Sequence, residues 1–176
     1  MKYVYGQSWH PTRNQPTEAF DEAKALARFN GKRSKPDWFT VAAFTDDATP
    51  EQVPEFYAEI TPHGAYAAVH FIDPFGSIHY IFGFRKTGER LFLEDITSYT
   101  YPDMTKHYGQ DECVKIVSMY YKTDGIVEVE TNDKSQPDIS VVHYKDVDVS
   151  AHWEPIPVFG DWESLGRFDA RWKPLS

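Results

Sequence analysis

The stretch from residue 65 to residue 96 constrains the fold of this chain more than any other segment. Its runs of β-branched and aromatic residues are separated by two short connections, Asp73 to Ser77 and Thr87-Gly88. The first connection holds proline and glycine where a three-residue hairpin turn needs them, and the second fits a two-residue turn. The stretch therefore predicts three consecutive antiparallel strands.

The two turns also predict the register of these strands. The first turn pairs Asp73 with Ser77, and the second pairs Lys86 with Glu89, because a slip of one residue would place a glutamate inside an apolar face. Side chains alternate between the two faces of a strand, and in these registers both faces are mainly apolar. The three strands are therefore predicted to lie in the centre of a sheet that is covered on both sides or curls into a barrel.

Three polar side chains fall side by side in this register, since His70, Tyr80 and Asp95 share one face. The common explanation of such a row is that buried polar groups satisfy one another. The functional alternative is a ligand pocket in which the carboxylate orients the imidazole and the loop from Ser98 to Asp111 covers the mouth. Further predicted ligand-binding residues lie on the same face or in that loop: Tyr66, Phe82, Tyr99, Tyr101 and His107.

Two helices are predicted before this sheet. The first follows Thr17, carries apolar residues at helical spacing from residue 19 to residue 27, and stops at Asn30-Gly31. The second follows Thr49-Pro50 and has apolar residues at the i, i+3, i+4, i+7 spacing of a helix from residue 53 to residue 60. Both helices are predicted to pack on the sheet.

The remaining segments complete the predicted fold. A hairpin from Val114 to Thr131 has one apolar face and one wet face that presents Tyr120 outward. Apolar residues alternate from Ile139 to Trp153, which predicts one bent strand or two strands, and they recur at near-helical spacing from Trp162 to Trp172. The prediction is a single α+β domain over residues 1–176, with two N-terminal helices on a strongly twisted, mostly antiparallel sheet of seven or eight strands, open or partly closed into a barrel.

Composition limits the partners and cofactors. The 176 residues include 18 Lys and Arg against 27 Asp and Glu, and the formal charge of -9 argues against nucleic acid. No segment has the apolar length of a signal peptide or a membrane span, and Cys113 is the one cysteine, so a cytoplasmic location without membrane contact is predicted. No metal site is predicted, because His70 and His79 fall on opposite faces, and no phosphate-binding or dinucleotide motif indicates a cofactor.

These features predict a non-enzymatic binding protein, because the chain lacks a second polar cluster for the remaining roles in catalysis. One version of the prediction is an acidic inhibitor or immunity-like binder of a basic protein. The other version is a carrier of a small apolar ligand in an aromatic pocket. The alternative is a small-molecule enzyme that uses the row of His70, Tyr80 and Asp95.

Overall fold

The computed structural model describes residues 1–32, 38–49, 52–168 and 175. Their main feature is an eleven-stranded antiparallel sheet, and among them no helix has the length and apolar character required to cross a membrane. The α-helix is α1 (Glu22–Phe29), and the strands in chain order are β1 (Lys2–Gly6), β2 (Trp9–His10), β3 (Gln15–Pro16), β4 (Ala19–Phe20), β5 (Phe39–Phe44), β6 (Phe56–Ile60), β7 (Tyr66–Ile72), β8 (Ile78–Thr87), β9 (Arg90–Thr100), β10 (Lys115–Tyr121), β11 (Val127–Asp133), β12 (Ser140–Tyr144) and β13 (Trp153–Pro155).

The strands of the large sheet follow one path, β12-β11-β10-β9-β8-β7-β6-β5-β1-β4, and β13 pairs with β9 beside that path. From β6 to β12 every strand lies next to the strand that precedes it in the chain, so the centre of the sheet is a simple meander. The path ends at β12 and β4, so the described strands form an open sheet. β2 and β3 form a separate two-stranded sheet.

The predicted fold class is wrong in two respects. The described residues contain one α-helix rather than two, and the sheet has eleven strands rather than seven or eight. The second predicted helix is a connection that leads into β6, and its predicted start at Pro50 lies outside the described residues. β6 is a strand because β5 and β7 flank it and supply backbone partners on both sides, which outweighs a local preference of less than 1 kcal/mol per residue.

The first predicted helix is confirmed, although it begins later than predicted. Asp21 is its N-cap and accepts a hydrogen bond of 2.7 Å from the backbone N–H of Lys24. The two preceding residues, Ala19–Phe20, pair with β1 as β4 instead of extending the helix. The helix ends before Asn30, and Gly31 follows with a φ of 67°, as the stop signal predicts.

The three central antiparallel strands are confirmed as β7, β8 and β9, but the register of the first pair is not. The Asp73 N–H donates to the Ser77 carbonyl over 2.9 Å, so the first turn closes as predicted. A β-bulge next to this turn then adds one residue to β8. His70 consequently lies opposite Ile81 rather than opposite Tyr80.

The register of the second pair differs for a similar reason. The turn is displaced, so that Thr87 lies opposite Arg90. A second irregularity then gives β9 one extra residue at Glu94, and Asp95 lies opposite Gly83. Sequence analysis disfavoured a displaced register because it would bury Glu94, but the bulge removes that objection and leaves this glutamate partly exposed in an ion pair with Arg85.

One face of the sheet, which we call the covered face, carries the core. It includes the fully buried side chains of Val69, Phe82 and Ile96 on the three central strands. Buried Trp162 and Leu165 of the C-terminal segment pack on the same cluster, as do side chains of α1. The C-terminal residues that sequence analysis placed in an apolar stripe therefore lie in the core up to residue 168, and Trp172 lies outside the described residues.

Later segments match the predictions in part. The β10–β11 hairpin is confirmed, with Met119 and Val127 in the core and Tyr120 facing outward. The region after it forms the short strands β12 and β13, but Ile139 and Val141 are exposed because β12 is an edge of the sheet. Of the two predicted alternatives, one bent strand or two strands, the structure shows two.

Candidate functional site

The face opposite the core carries one row of side chains across five strands, which we call the open-face row. Its members face one another in register from β6 to β10. Two carboxylates and a tyrosine flank two small residues, so the row has a shallow floor near its middle. In strand order the members are Glu59, Ala68, Gly83, Asp95 and Tyr120.

Asp95 holds its carboxylate directly over Gly83. A Cβ atom on Gly83 would lie only 1.9 Å from Oδ2 of Asp95, so the position of this carboxylate requires glycine on the neighbouring strand. Burial and, to a smaller extent, the charge of Glu94 raise the pKa of Asp95 to about 6, although Arg85 acts in the opposite direction. The carboxylate of Asp95 forms no hydrogen bond or ion pair with the described residues.

Glu59 is the second carboxylate of the row, and burial raises its pKa as well. The carboxylate of Glu59 also forms no hydrogen bond or ion pair within the described part of the chain. Three strand spacings, or about 14 Å between Cα atoms, separate it from Asp95. Tyr66 shares this face, and its pKa is raised by burial first and then by the charges of Asp95, Glu94 and Glu59, while Arg85 lowers it.

Arg85, the described cation that acts on the charge of Asp95, forms an ion pair with Glu94. Nε of Arg85 donates to Oε1 of Glu94 over 2.7 Å, and the guanidinium lies 5.3 Å from the ring centre of Tyr66. Arg85 therefore lowers the pKa of Asp95 only partly. Within the part of the chain that the structure describes, no direct contact neutralises the two half-buried carboxylates of the row, which is costly in a partly dehydrated environment.

A half-buried histidine lies in the next row of the same face. The ring of His70 stacks on that of Tyr57 with centres 4.4 Å apart and planes inclined by 8°. Both ring nitrogens of His70 are shielded from solvent and have no hydrogen-bond partner, and burial lowers the pKa of His70 to about 4. The imidazole is therefore neutral at neutral pH, and it forms an apolar flank to the open-face row.

The predicted row of His70, Tyr80 and Asp95 does not exist. His70 and Asp95 share the open face, but Tyr80 lies on the covered face, where its ring is 4.8 Å from that of Phe168. The cause is the bulge in β8, since one extra residue inverts the facing of every later side chain in that strand. Phe82 is also in the core rather than in a ligand site.

The predicted aromatic residues of the loop pack against the protein itself. Tyr101 is buried, and its hydroxyl donates to the Ile78 carbonyl over 2.8 Å. Tyr99 is partly buried beside it. Nε2 of His107 lies 3.2 Å from Oγ1 of Thr12, which ties the loop to the N-terminal region. The structure therefore brings none of these three residues to the open-face row.

Sequence analysis missed Glu59, Gly83 and the stacking partner Tyr57. Glu59 and Tyr57 were assigned to a helix, although the run Phe56–Ile60 alternates its core-facing residues as a strand does. Gly83 is a glycine inside a strand, which is a known signal of close approach by another group. Tyr120 was predicted to face outward, and it does, with 44% of its surface exposed.

Two further findings concern the kind of site. Within the described residues, no group of three or more His, Cys, Asp and Glu side chains converges as metal ligands would. Comparison of the chain with protein-family models, curated proteins and solved structures finds no match. The function must therefore be argued from the geometry of the open face.

Replacing Asp95 by asparagine is expected to stabilise the fold at neutral pH by about 1 kcal/mol, after the pKa difference is discounted for partial exposure. The folded-state pKa of about 6 lies above the ordinary 3.8. Stability therefore falls as pH rises through that window, and the loss is complete above pH 6. Urea unfolding at neutral pH measures the gain, with Asp138→Asn in an exposed loop as the control. A destabilised Asp95→Asn would assign the carboxylate a structural role.

Proposed function

We propose that this protein is a non-enzymatic binding protein whose open face receives a lysine or arginine side chain of a basic protein partner between Glu59 and Asp95. The observation that carries the proposal is a pair of half-buried carboxylates that have no direct counter-ion among the described residues. A cation from outside would stabilise both charges at once. Groups that destabilise a fold in this way and have perturbed pKa values are typical of functional sites.

The charge around the row supports a basic partner. Along the sheet beyond Asp95, Tyr120 lies opposite Glu128 and Ser118 lies opposite Glu130, so acidic side chains continue onto β11. The whole chain carries a formal charge of -9, which would attract a basic protein and accelerate its association. Exposed Tyr120 supplies an aromatic contact of the kind that contributes most at protein interfaces.

The length of the acidic surface favours a protein over a small molecule. From Glu59 on β6 to Glu128 on β11 the acidic surface crosses five strand spacings, or about 24 Å. A small ligand would contact one part of it, whereas a strand, a helix or a basic loop would contact most of it. The lone buried Cys113 supports a reducing, cytoplasmic setting for this interaction.

The enzyme alternative loses its geometric basis. It required His70, Tyr80 and Asp95 to act together, and Tyr80 lies on the other face of the sheet. The ring nitrogens of His70 are also shielded, so neither nitrogen is placed to exchange a proton with a bound molecule.

The proposal predicts that a short oligo-arginine peptide binds the open face. In fluorescence anisotropy at low salt, Glu59→Gln/Asp95→Asn is expected to weaken binding by about tenfold, or about 0.7 kcal/mol per carboxylate. The matched control is Glu89→Gln/Asp138→Asn, which removes the same charge from exposed turns. It is expected to change affinity by less than about threefold, because distant surface charges are screened.

Equal weakening in both double variants would mean that the peptide responds to net charge alone, and it would overturn the proposal. A second readout is the pH dependence of binding. Arginine keeps its charge while Asp95 takes up a proton near pH 6, so affinity is expected to fall as the pH is lowered through that value. This fall should disappear in Asp95→Asn but persist in the control.

A further inference from the structure

A groove runs along the covered side of the sheet, away from the open-face row. It has a larger compartment of about 770 Å³ and a smaller one of about 300 Å³. Glu55, Phe71 and Phe168 line both compartments, so the two are adjacent. Cavities of this size hold drug-sized ligands.

Aromatic rings form the walls of the groove. The ring centres of Phe71 and Phe168 are 5.2 Å apart in an edge contact, and Phe56 lies 6.5 Å from Phe71. Gly166 brings the backbone of the C-terminal segment against Phe56, because a Cβ atom there would lie 2.1 Å from the ring. Phe56 is buried, so its ring has no space to move away from Gly166, and the core holds these walls in place.

One ion pair and one contact between a histidine and a carboxylate lie at the polar ends of the groove. In the larger compartment, Glu154 is only 3% exposed and its carboxylate accepts from the guanidinium of Arg167. In the smaller compartment, buried Asp73 lies 3.3 Å from Nε2 of His79 and accepts from the backbone N–H of Ser77. Each carboxylate therefore already has its partner.

Two further carboxylates at the rim of the groove have no such partner among the described residues. Glu55 and Glu163 are exposed and line the larger compartment, and their side chains form no hydrogen bond or ion pair with the described residues. They give the groove an excess of negative charge. An anionic ligand would be repelled by this excess, because Arg167 already offsets the charge of buried Glu154 and the α-ammonium of Met1, which also lines the larger compartment, lies 3.2 Å from Asp46.

We propose that this groove binds a small organic amine, with its apolar or aromatic body between Phe71 and Phe168 and its ammonium group beside Glu55 and Glu163. The aromatic walls supply apolar contact, and the rim carboxylates supply the charge that selects a cation. This site lies on other residues than the open-face row, so it does not depend on the proposed function.

Isothermal titration calorimetry with three matched probes tests the proposal. Phenylbutylamine, phenylbutanol and phenylbutyrate share one body and differ in charge. The amine is expected to bind tightest, the alcohol more weakly and the carboxylate weakest. Binding of the carboxylate as tight as that of the amine, or binding of none of the three, would overturn the proposal.

Two double variants separate this site from the open face. Glu55→Gln/Glu163→Gln is expected to lower the affinity for the amine by about tenfold, with about threefold from each exposed charge, and to leave the alcohol unchanged. Glu59→Gln/Asp95→Asn removes the same charge from the open face and is expected to leave amine binding unchanged. An unaltered amine affinity in the rim variant, or an equal loss in both variants, contradicts the assignment.

Discussion

Replacement of Phe82 by alanine is expected to lower the free energy of unfolding by about 3 to 5 kcal/mol. Phe82 is 0% exposed in the middle of the covered face. Its ring centre lies 4.9 Å from that of Phe71 and 5.6 Å from that of Phe168. The sheet holds the first of these neighbours, and the ring of the second also contacts Phe71 and Tyr80, so the space left by the Phe82 ring would remain a cavity. Urea unfolding at neutral pH measures the loss.

Phe75→Ala provides the matched control. Phe75 lies in the turn between β7 and β8 and is 45% exposed, so the same deletion of a ring should change stability by less than about 1 kcal/mol. Similar losses at both positions, or no loss at Phe82, would show that the covered face is not the stabilising core.

Local sequence signals predicted the central strands because their turns are chemically explicit. Gly76 and Gly88 both have positive φ, as tight turns require. The prediction from apolar spacing failed for β6, because the apolar residues of a five-residue segment fit the spacing of a helix and of a strand equally well. Pro54, which cannot donate a backbone hydrogen bond, was the available signal against a helix.

The bulges explain why the candidate site was predicted with the wrong members. Each bulge adds one residue and reverses the face to which every later side chain of the strand points. A turn sequence contains no signal that predicts such a bulge. In β9 a signal did exist, because the core positions Leu91, Leu93 and Ile96 are spaced by two and then by three residues. In β8 no comparable break in the pattern surrounds His79.

The predicted combination of imidazole, phenol and carboxylate occurs elsewhere in the structure. His79, Tyr80 and Asp73 line the smaller compartment of the groove. The loop that was expected at the mouth of a pocket contributes Met104 there. The bulged residue His79 thus takes the place that sequence analysis gave to His70, which shows how a shift of one residue moves a site to the other face of a sheet.

Replacement of His70 by phenylalanine is expected to protect the fold against acid. The folded-state pKa of about 4 lies below the ordinary 6.5, because both ring nitrogens are buried without partners. As the pH falls from about 6.5 to about 4, the unfolded chain takes up a proton that the folded chain does not, so stability is lost. This pKa difference corresponds to about 3 kcal/mol. Phenylalanine keeps the stack on Tyr57 and removes the loss.

The pH profile must be measured where Asp95 does not mask it. The raised pKa of Asp95 makes stability rise as the pH falls toward 4, which opposes the effect of His70 over part of the same range. Urea unfolding of Asp95→Asn should therefore show a steeper loss of stability in acid than the wild type. Adding His70→Phe should flatten it by about 3 kcal/mol, whereas adding His143→Phe at an exposed site should not. Parallel acid profiles for all three would mean that His70 is protonated in the fold, and the apolar flank assigned to it would be wrong.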